Sequence, residues 1–204
     1  MFLNQNQITS IATLHNCTPA GKYDREITPI LTAISVTVEG SKLTATATDR
    51  YIVGEVGFEL DDFYAAEPFT IQLSSTDWQT VAKLKSSADI TVEDATVTVR
   101  AGHTEMRLIQ VGGSFPPVAR LFPEEHETEG LPVVSLNLDF LTRIAKLRTP
   151  FGIGEGARCK GQPWRFQAKP TDSGKPGPVL LTQGKRAAGA DSMRVLIQPD
   201  LLLD

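Results

Sequence analysis

Long apolar runs are missing from this chain. None approaches the roughly 18 residues that a membrane-spanning helix needs. The opening MFLNQNQ has neither a basic segment nor a long apolar stretch, so no secretory leader is expected. Cysteine is scarce. Cys17 and Cys159 are the only two, and their spacing fits neither a zinc knuckle nor a CxxC redox pair. Both read as reduced thiols of a cytoplasmic protein. A basic excess is absent as well: 20 Lys and Arg against 24 Asp and Glu leave a net charge of −4. The overall charge therefore gives no argument for nucleic acid, and only cations gathered on one surface would.

The residue sets of an enzyme are also missing. No GxSxG, HExxH or paired-cysteine zinc pattern occurs, and His15, His103 and His126 are scattered. Glu124-Glu125-His126-Glu127 reads as an acidic connector, with a metal site as the other reading. Gly152, Gly154 and Gly156 lack the strand–helix setting and the lysine of a phosphate loop, and they read as loop. No cofactor, no metal and no catalytic activity are expected.

What the chain has is a repeat. Leu3…Ile11-Ala12-Thr13-Leu14 recurs as Leu73…Val81-Ala82-Lys83-Leu84 and as Leu136…Ile144-Ala145-Lys146-Leu147. Ile8, Trp78 and Leu141 fall at one common offset. With the following pairs they give the i, i+3, i+4 spacing of one helix face. A like-built helix appearing three times predicts three copies of one supersecondary unit. With 41% hydrophobic and 22% charged residues, the chain can bury an ordinary core.

In order, Met1–Leu3 reads as a strand and Asn4 as the cap of a helix to about Asn16. The 29–39, 43–49 and 51–60 stretches alternate as strands, and Asp61–Pro68 reads as a loop. The second copy has a strand at Phe69–Leu73 and a helix capped by Ser74. Strands follow at 89–92, 96–100 and 104–109, then a Gly- and Pro-rich loop at 111–123. Residues 124–130 read as a connector. The third copy has a strand at 132–136, a helix capped by Asn137 and running to about Arg148, and strands at 164–168, 178–183 and 193–197. The fold class is α+β: three βαβββ half-domains with helices on one face of antiparallel sheets. The expected boundaries are 1–124 (halves 1–62 and 63–124), a linker at 125–130, and a single half-domain at 131–204.

Three local runs resemble the bacterial DNA polymerase sliding clamps, the DNA polymerase III beta subunit family. Pro29-Ile-Leu-Thr with Gly40-Ser-Lys-Leu-Thr-Ala-Thr-Ala-Thr-Asp49 is similar to a run in the middle clamp domain. Gly113-Ser-Phe-Pro116…Arg120-Leu-Phe-Pro123 resembles the run that closes that domain. Pro178-Val-Leu-Leu181 and Val195-Leu-Ile-Gln-Pro199 resemble the family's ending. The resemblance implies a DNA clamp fold and a processivity factor that encircles duplex DNA as a homo-oligomeric ring. It also implies that polymerase, and a clamp loader, bind through short linear motifs. Family rings hold twelve half-domains, so three per chain suggests a tetramer closed head to tail. The short chain suits a compact genome such as that of a phage.

The resemblance also assigns residues. The helices would face DNA, and Lys83, Lys85, Arg143, Lys146 and Arg148, with Lys22 and Arg25 beside the first helix, would meet phosphates. The other reading of these cations is a solvated helix end whose positive charges favour the helix dipole. A hydrophobic peptide groove would be walled by Leu31, Thr48, Arg50, Tyr51, Ile52, Val53, Pro116, Arg120, Leu121, Val179, Leu196 and Gln198. The chain departs from the family here: Arg50-Tyr51-Ile52-Val53 follows Thr48-Asp49 where the family has Gly-His-Arg-Leu, and Gln198 replaces a methionine. The alternative function is a clamp-fold adaptor that binds peptides without encircling DNA.

Overall fold

A computed structural model describes residues 1–21, 26–60, 63–123, 129–130, 136–148, 164–168, 171, 177–183 and 192–199. Lys22, Arg25, Cys159, the acidic run at 124–127, the glycine-rich 149–163 segment and most of the strand expected at 132–136 lie outside them.

Each repeat helix starts where its cap residue predicts. Strand β1 (Phe2–Leu3) leads into α1 (Gln5–Thr13). There Asn4 Oδ1 accepts the Asn6 and Gln7 amides, and Gln7 Oε1 accepts the Asn4 amide, forming a closed capping box. Ser74 Oγ accepts the Asp77 amide at the head of α2 (Ser75–Lys83), and Asn137 Oδ1 accepts the Asp139 amide at the head of α3 (Leu138–Ile144). Each cap is worth about 1 kcal/mol. The helices are shorter than periodicity suggests. Leu14–Cys17 tightens into a 3-10 turn, and α3 stops at Ile144.

The strands are β2 (Ala33–Gly40), β3 (Lys42–Thr48), β4 (Ile52–Glu59), β5 (Ala65–Ser74), β6 (Ala88–Glu93), β7 (Thr96–Ala101), β8 (Thr104–Ile109), β9 (Glu129–Gly130), β10 (Arg165–Ala168), β11 (Val179–Gln183) and β12 (Ser192–Ile197). All pairs are antiparallel. They form one sheet ordered β1-β6-β7-β8 and another ordered β5-β2-β3-β4-β12-β11-β10-β9. The first strand of each of the first two repeats crosses to the other: β1 pairs with β6, and β5 with β2. The third repeat joins the first where β12 pairs with β4. The helices pack on one face of these sheets, and Ile8, Ile11, Trp78, Val81 and Ile144 meet inward strand residues such as Val36, Val56, Leu73, Val97 and Val195.

Three expectations change. Pro29–Thr32 is a 3-10 turn ahead of β2 and not part of the strand. Strand β5 begins at Ala65, inside the expected loop, and tolerates Pro68 because among the described residues it pairs only with β2 and the register shifts between Val38 and Gly40. Glu129–Gly130, expected as linker, pairs with β10 and covers backbone groups on that edge.

Gly54 marks the closest approach of sheet and helix layer. A methyl group there would sit 2.6 Å from Cys17 Sγ and 3.0 Å from Leu14 Cδ2. Cys17 is fully buried, and burial pushes its thiol up to about 12. Gly54→Ala should therefore cost about 1–3 kcal/mol through overpacking, read as a lower urea midpoint. An unchanged midpoint would contradict the close approach. Cys17 should resist alkylation at pH 8 until the protein is unfolded.

Candidate functional site

The β4–β12 pairing divides side chains between two surfaces, because successive residues of a strand point to opposite faces. Ile52, Val56, Phe58, Met193, Val195 and Ile197 face the helix-side core. Val53 and Leu196 face outward, paired in register, and Leu180 of β11 lies opposite Leu196. The segment from Gly113 to Pro123 crosses this outer face. Its 3-10 turn, Val118–Leu121, brings Val118 and Phe122 onto Val53, Leu180 and Leu196, with Phe115 partly buried beside them. The result is a second, small apolar core on the sheet face away from the helices.

One ion pair is built into it. Glu55 lies opposite Arg194 across the strand junction, and Arg194 Nε donates to Glu55 Oε1 at 2.6 Å. The Arg194 guanidinium also stacks 4.1 Å from the centre of the Phe122 ring, a cation–π contact that ties the crossing segment to the junction. Beside this core, the segment and the hydroxyl-bearing residues Ser35, Thr37, Thr46 and Thr70 enclose a cleft of about 620 Å³, with Pro116 and Phe115 on its wall.

The turn before β4 forms the rim. Asp49 Oδ1 accepts the Tyr51 and Ile52 amides at 3.0 and 2.9 Å. Thr48 Oγ1 donates to the Ile52 carbonyl and accepts the Arg50 amide. Arg50 sits at φ +83°, the left-handed region that favours glycine. Its guanidinium donates to Thr28 Oγ1. Tyr51 is 63% exposed, and its carbonyl accepts the Gln198 amide across the junction. Leu121 is 51% exposed at the end of the crossing segment.

The expected groove residues therefore separate. Val53 and Leu196 are in the outer core, Pro116, Arg120 and Leu121 are on the crossing segment, and Arg50, Tyr51 and Gln198 are at the rim. Thr48 is buried in the turn, and Leu31 is buried in the 3-10 turn before β2. Ile52 and Val179, also expected in the groove, have no exposure and pack in the helix-side core, one residue out of phase with the outer face. Val118, Phe122, Leu180, Glu55 and Arg194 escaped the sequence reading. Leu180 and Leu196 sit in the unbroken apolar runs 179–181 and 195–197, so no local signal marked them as outward.

The cations also separate. Lys83 is exposed on a stripe with Thr76 and Thr80, and Lys85 follows α2 in the left-handed conformation at φ +52°. Lys146 is exposed just beyond α3. Arg148 is half-buried, and its amide donates to Thr13 Oγ1. Arg143 is committed internally. Its Nη1 pairs with Asp49 Oδ2 at 2.7 Å, and Nε donates to the Asn16 carbonyl at 2.6 Å. A side chain held by two partners, with the Thr18 carbonyl a third at 3.4 Å, is a clasp between α3 and the first repeat. It is not a free phosphate ligand.

No protein-family model and no curated protein sequence matches the chain. Solved structures do. The chain aligns with the beta subunit from DNA polymerase of Streptococcus pyogenes at a TM-score of 0.64 and 15% identity, covering 98% of this chain and 65% of that one. The DNA polymerase sliding clamp from Pseudomonas aeruginosa aligns at 0.58 and 13% identity, over 99% and 66% of the two chains. The one from Bacillus subtilis aligns at 0.55 and 18%, over 98% and 49%. The chain has the sliding-clamp fold. It spans between about half and two thirds of the length of these clamps. The glycine that the clamp family places after Thr-Asp now has a physical meaning, because Arg50 holds that position at positive φ.

Three substitutions separate buried ion pairs from surface charge. Arg194→Ala leaves Glu55 buried without its partner and should cost about 3 kcal/mol. Arg143→Ala should destabilise by about 2 kcal/mol through the loss of charge-assisted bonds, whereas Lys146→Ala should stay within about 0.5 kcal/mol of the parent. Urea unfolding of the three variants checks this. Equal effects at 143 and 146 would refute the clasp.

Proposed function

We propose that this chain is a processivity clamp: a homo-oligomeric ring that encloses duplex DNA on its helix side and tethers polymerase on its outer face. The observation that carries the reading is the division of the β4–β12 junction. One face supports the helix layer, and the other carries an apolar core rimmed by exposed Tyr51 and Leu121. An apolar patch edged by a few polar groups suits a linear peptide with a leucine or aromatic anchor. The likeness to solved sliding clamps supports the same assignment.

Among the described residues of the second and third repeat helices and their ends, Lys83, Lys85 and Lys146 are the exposed cations. Sparse cations hold phosphates loosely and without sequence preference, which is what a sliding ring requires. The shortage of cations also favours a second reading, a peptide-binding adaptor that never encircles DNA. Topology decides between them. A ring stays on a nicked circular duplex and runs off when the circle is cut. Equal retention on both substrates would remove the ring, and no retention on either would favour the adaptor.

Reversing Lys83 and Lys146 to glutamate should lower retention at least tenfold and lower its salt dependence. It should outweigh the same change at Lys22 and Arg25. Leu121→Asp, at an exposed position, should abolish capture of a polymerase-derived hydrophobic peptide while leaving retention on circles intact. Loss of both activities together would argue against separate surfaces.

A further inference from the structure

We infer that the hydroxyl-lined cleft beside the outer apolar core binds a short run of uncharged, hydrogen-bonding residues flanking the anchor of the captured peptide. The inference rests on the peptide-binding reading above and adds a second contact that selects among peptides.

A cross-strand row of polar groups leads to the cleft. Ser35 lies opposite Thr46, Thr46 opposite Glu55, and Glu55 opposite Arg194. Residues directly opposite each other share a sheet face, so all four stand on the outer one. Ser35 and Thr46 are each 8% exposed, and both line the cleft. Neither hydroxyl has a hydrogen-bond partner among the described residues. Glu55 is 7% exposed; Arg194 Nε donates to its Oε1, and Oε2 is buried without a partner. Buried polar atoms are normally paired, and leaving one unpaired is costly. Three in a single row mark a place where something outside the chain completes the bonding. On another wall, the Thr37 and Thr70 hydroxyls bond each other at 3.2 Å, which uses one of their two protons and leaves one for a ligand.

The cleft is preformed. The Val111 amide donates to the Gln72 carbonyl at 2.8 Å and fixes the start of the crossing segment over β5. Val118 and Phe122 fix its far end on the outer core. Phe115 and Val118 also line the cleft, so the two sites are continuous and one peptide spans them.

The lining sets the chemical class. Among the described residues, none that lines the cleft is charged. Arg194 offsets the Glu55 carboxylate, so a cation finds no net negative charge. The open Glu55 oxygen beside Thr46 disfavours an anion. Hydroxyls both donate and accept. Their match is a segment that does the same without charge, namely backbone amides with serine, threonine or asparagine side chains. A cleft of about 620 Å³ has the size of a small-ligand pocket and holds more than one side chain.

Synthetic peptides test this by fluorescence anisotropy on the full chain. Each carries a central Leu-Phe anchor, flanked on both sides by Ser-Thr-Asn-Ser, by alanine, by glutamate or by lysine. The Ser-Thr-Asn-Ser peptide should bind about tenfold tighter than the alanine one, the gain expected of two hydrogen bonds. Charged flanks should give no such gain at high salt, and an equal gain with them overturns the uncharged class. Ser35→Ala and Thr46→Val should each erase most of the gain and leave the alanine-flanked peptide unaffected. Both variants should unfold at the parent's urea midpoint or above it, because they remove hydroxyls that the fold leaves unbonded. A lower midpoint means that the fold uses the hydroxyl, and overturns the inference. A gain that survives both substitutions arises elsewhere and overturns it too. Equal affinities for Ser-Thr-Asn-Ser and alanine flanks mean that the cleft holds water alone; the inference then fails while the anchor reading stands. Binding of no peptide removes the anchor reading and this inference with it, so the two failures are distinguishable.

Discussion

Ile52 opposite Ile197 through Gly57 opposite Ser192 is a short ladder joining stretches of chain far apart in sequence. Closing so long a loop costs entropy before any contact rewards it. The ladder therefore needs reinforcement beyond backbone hydrogen bonds, and each face supplies its own. Inside, Val195 and Ile197 enter the common core. Outside, the Glu55–Arg194 pair and the Phe122 ring close over the junction. An ion pair this buried gains little over an apolar pair of the same size, but its partners tolerate no other pairing. Its value lies in alignment more than in net stability.

Asp49 links the two surfaces at the head of the ladder. One carboxylate oxygen organises the turn that presents Tyr51, and the other receives Arg143 from α3. A single side chain thus sets the rim of the apolar outer patch and the seating of a helix on the opposite side. Arg50 pays for that turn in backbone strain of about 1 kcal/mol or more, offset in part by its bond to Thr28.

Much of this was legible in the sequence, and the failures have physical causes. Asn4, Ser74 and Asn137 announce helices because their side chains satisfy amides that a helix start leaves open. The strands announce themselves by alternation, as in Ile34, Val36 and Val38. Helix ends were less legible, since Leu14–Cys17 tightens under packing that no local pattern records. The resemblance to clamps singled out the run at 113–123 and the run at 195–199, and the structure brings Val118 and Phe122 onto Leu196. It named Val179, which packs inward while its neighbour Leu180 packs on the outer face; both are apolar, so alternation carries no polar mark there. Arg143 looked like a surface cation because nothing local reveals that Asn16 and Asp49 fold back onto it.

That one-residue ambiguity explains how the junction resists slippage. A strand slipped by one position exchanges its two faces, and β4 would still present apolar residues to each. Gly54 and Glu55 prevent it as a pair. Only a residue without a side chain fits beneath Leu14 and Cys17, so Glu55 cannot move into that position. Only a carboxylate satisfies Arg194 against the Phe122 ring, so Gly54 cannot take the outward place. Two adjacent residues, one fitted for space and one for charge, therefore reinforce a register that the inward Val56 and Phe58 and the outward Glu55 and Glu59 also favour. The helix side and the outer face are specified by the same two positions, so neither surface can be rebuilt without the other.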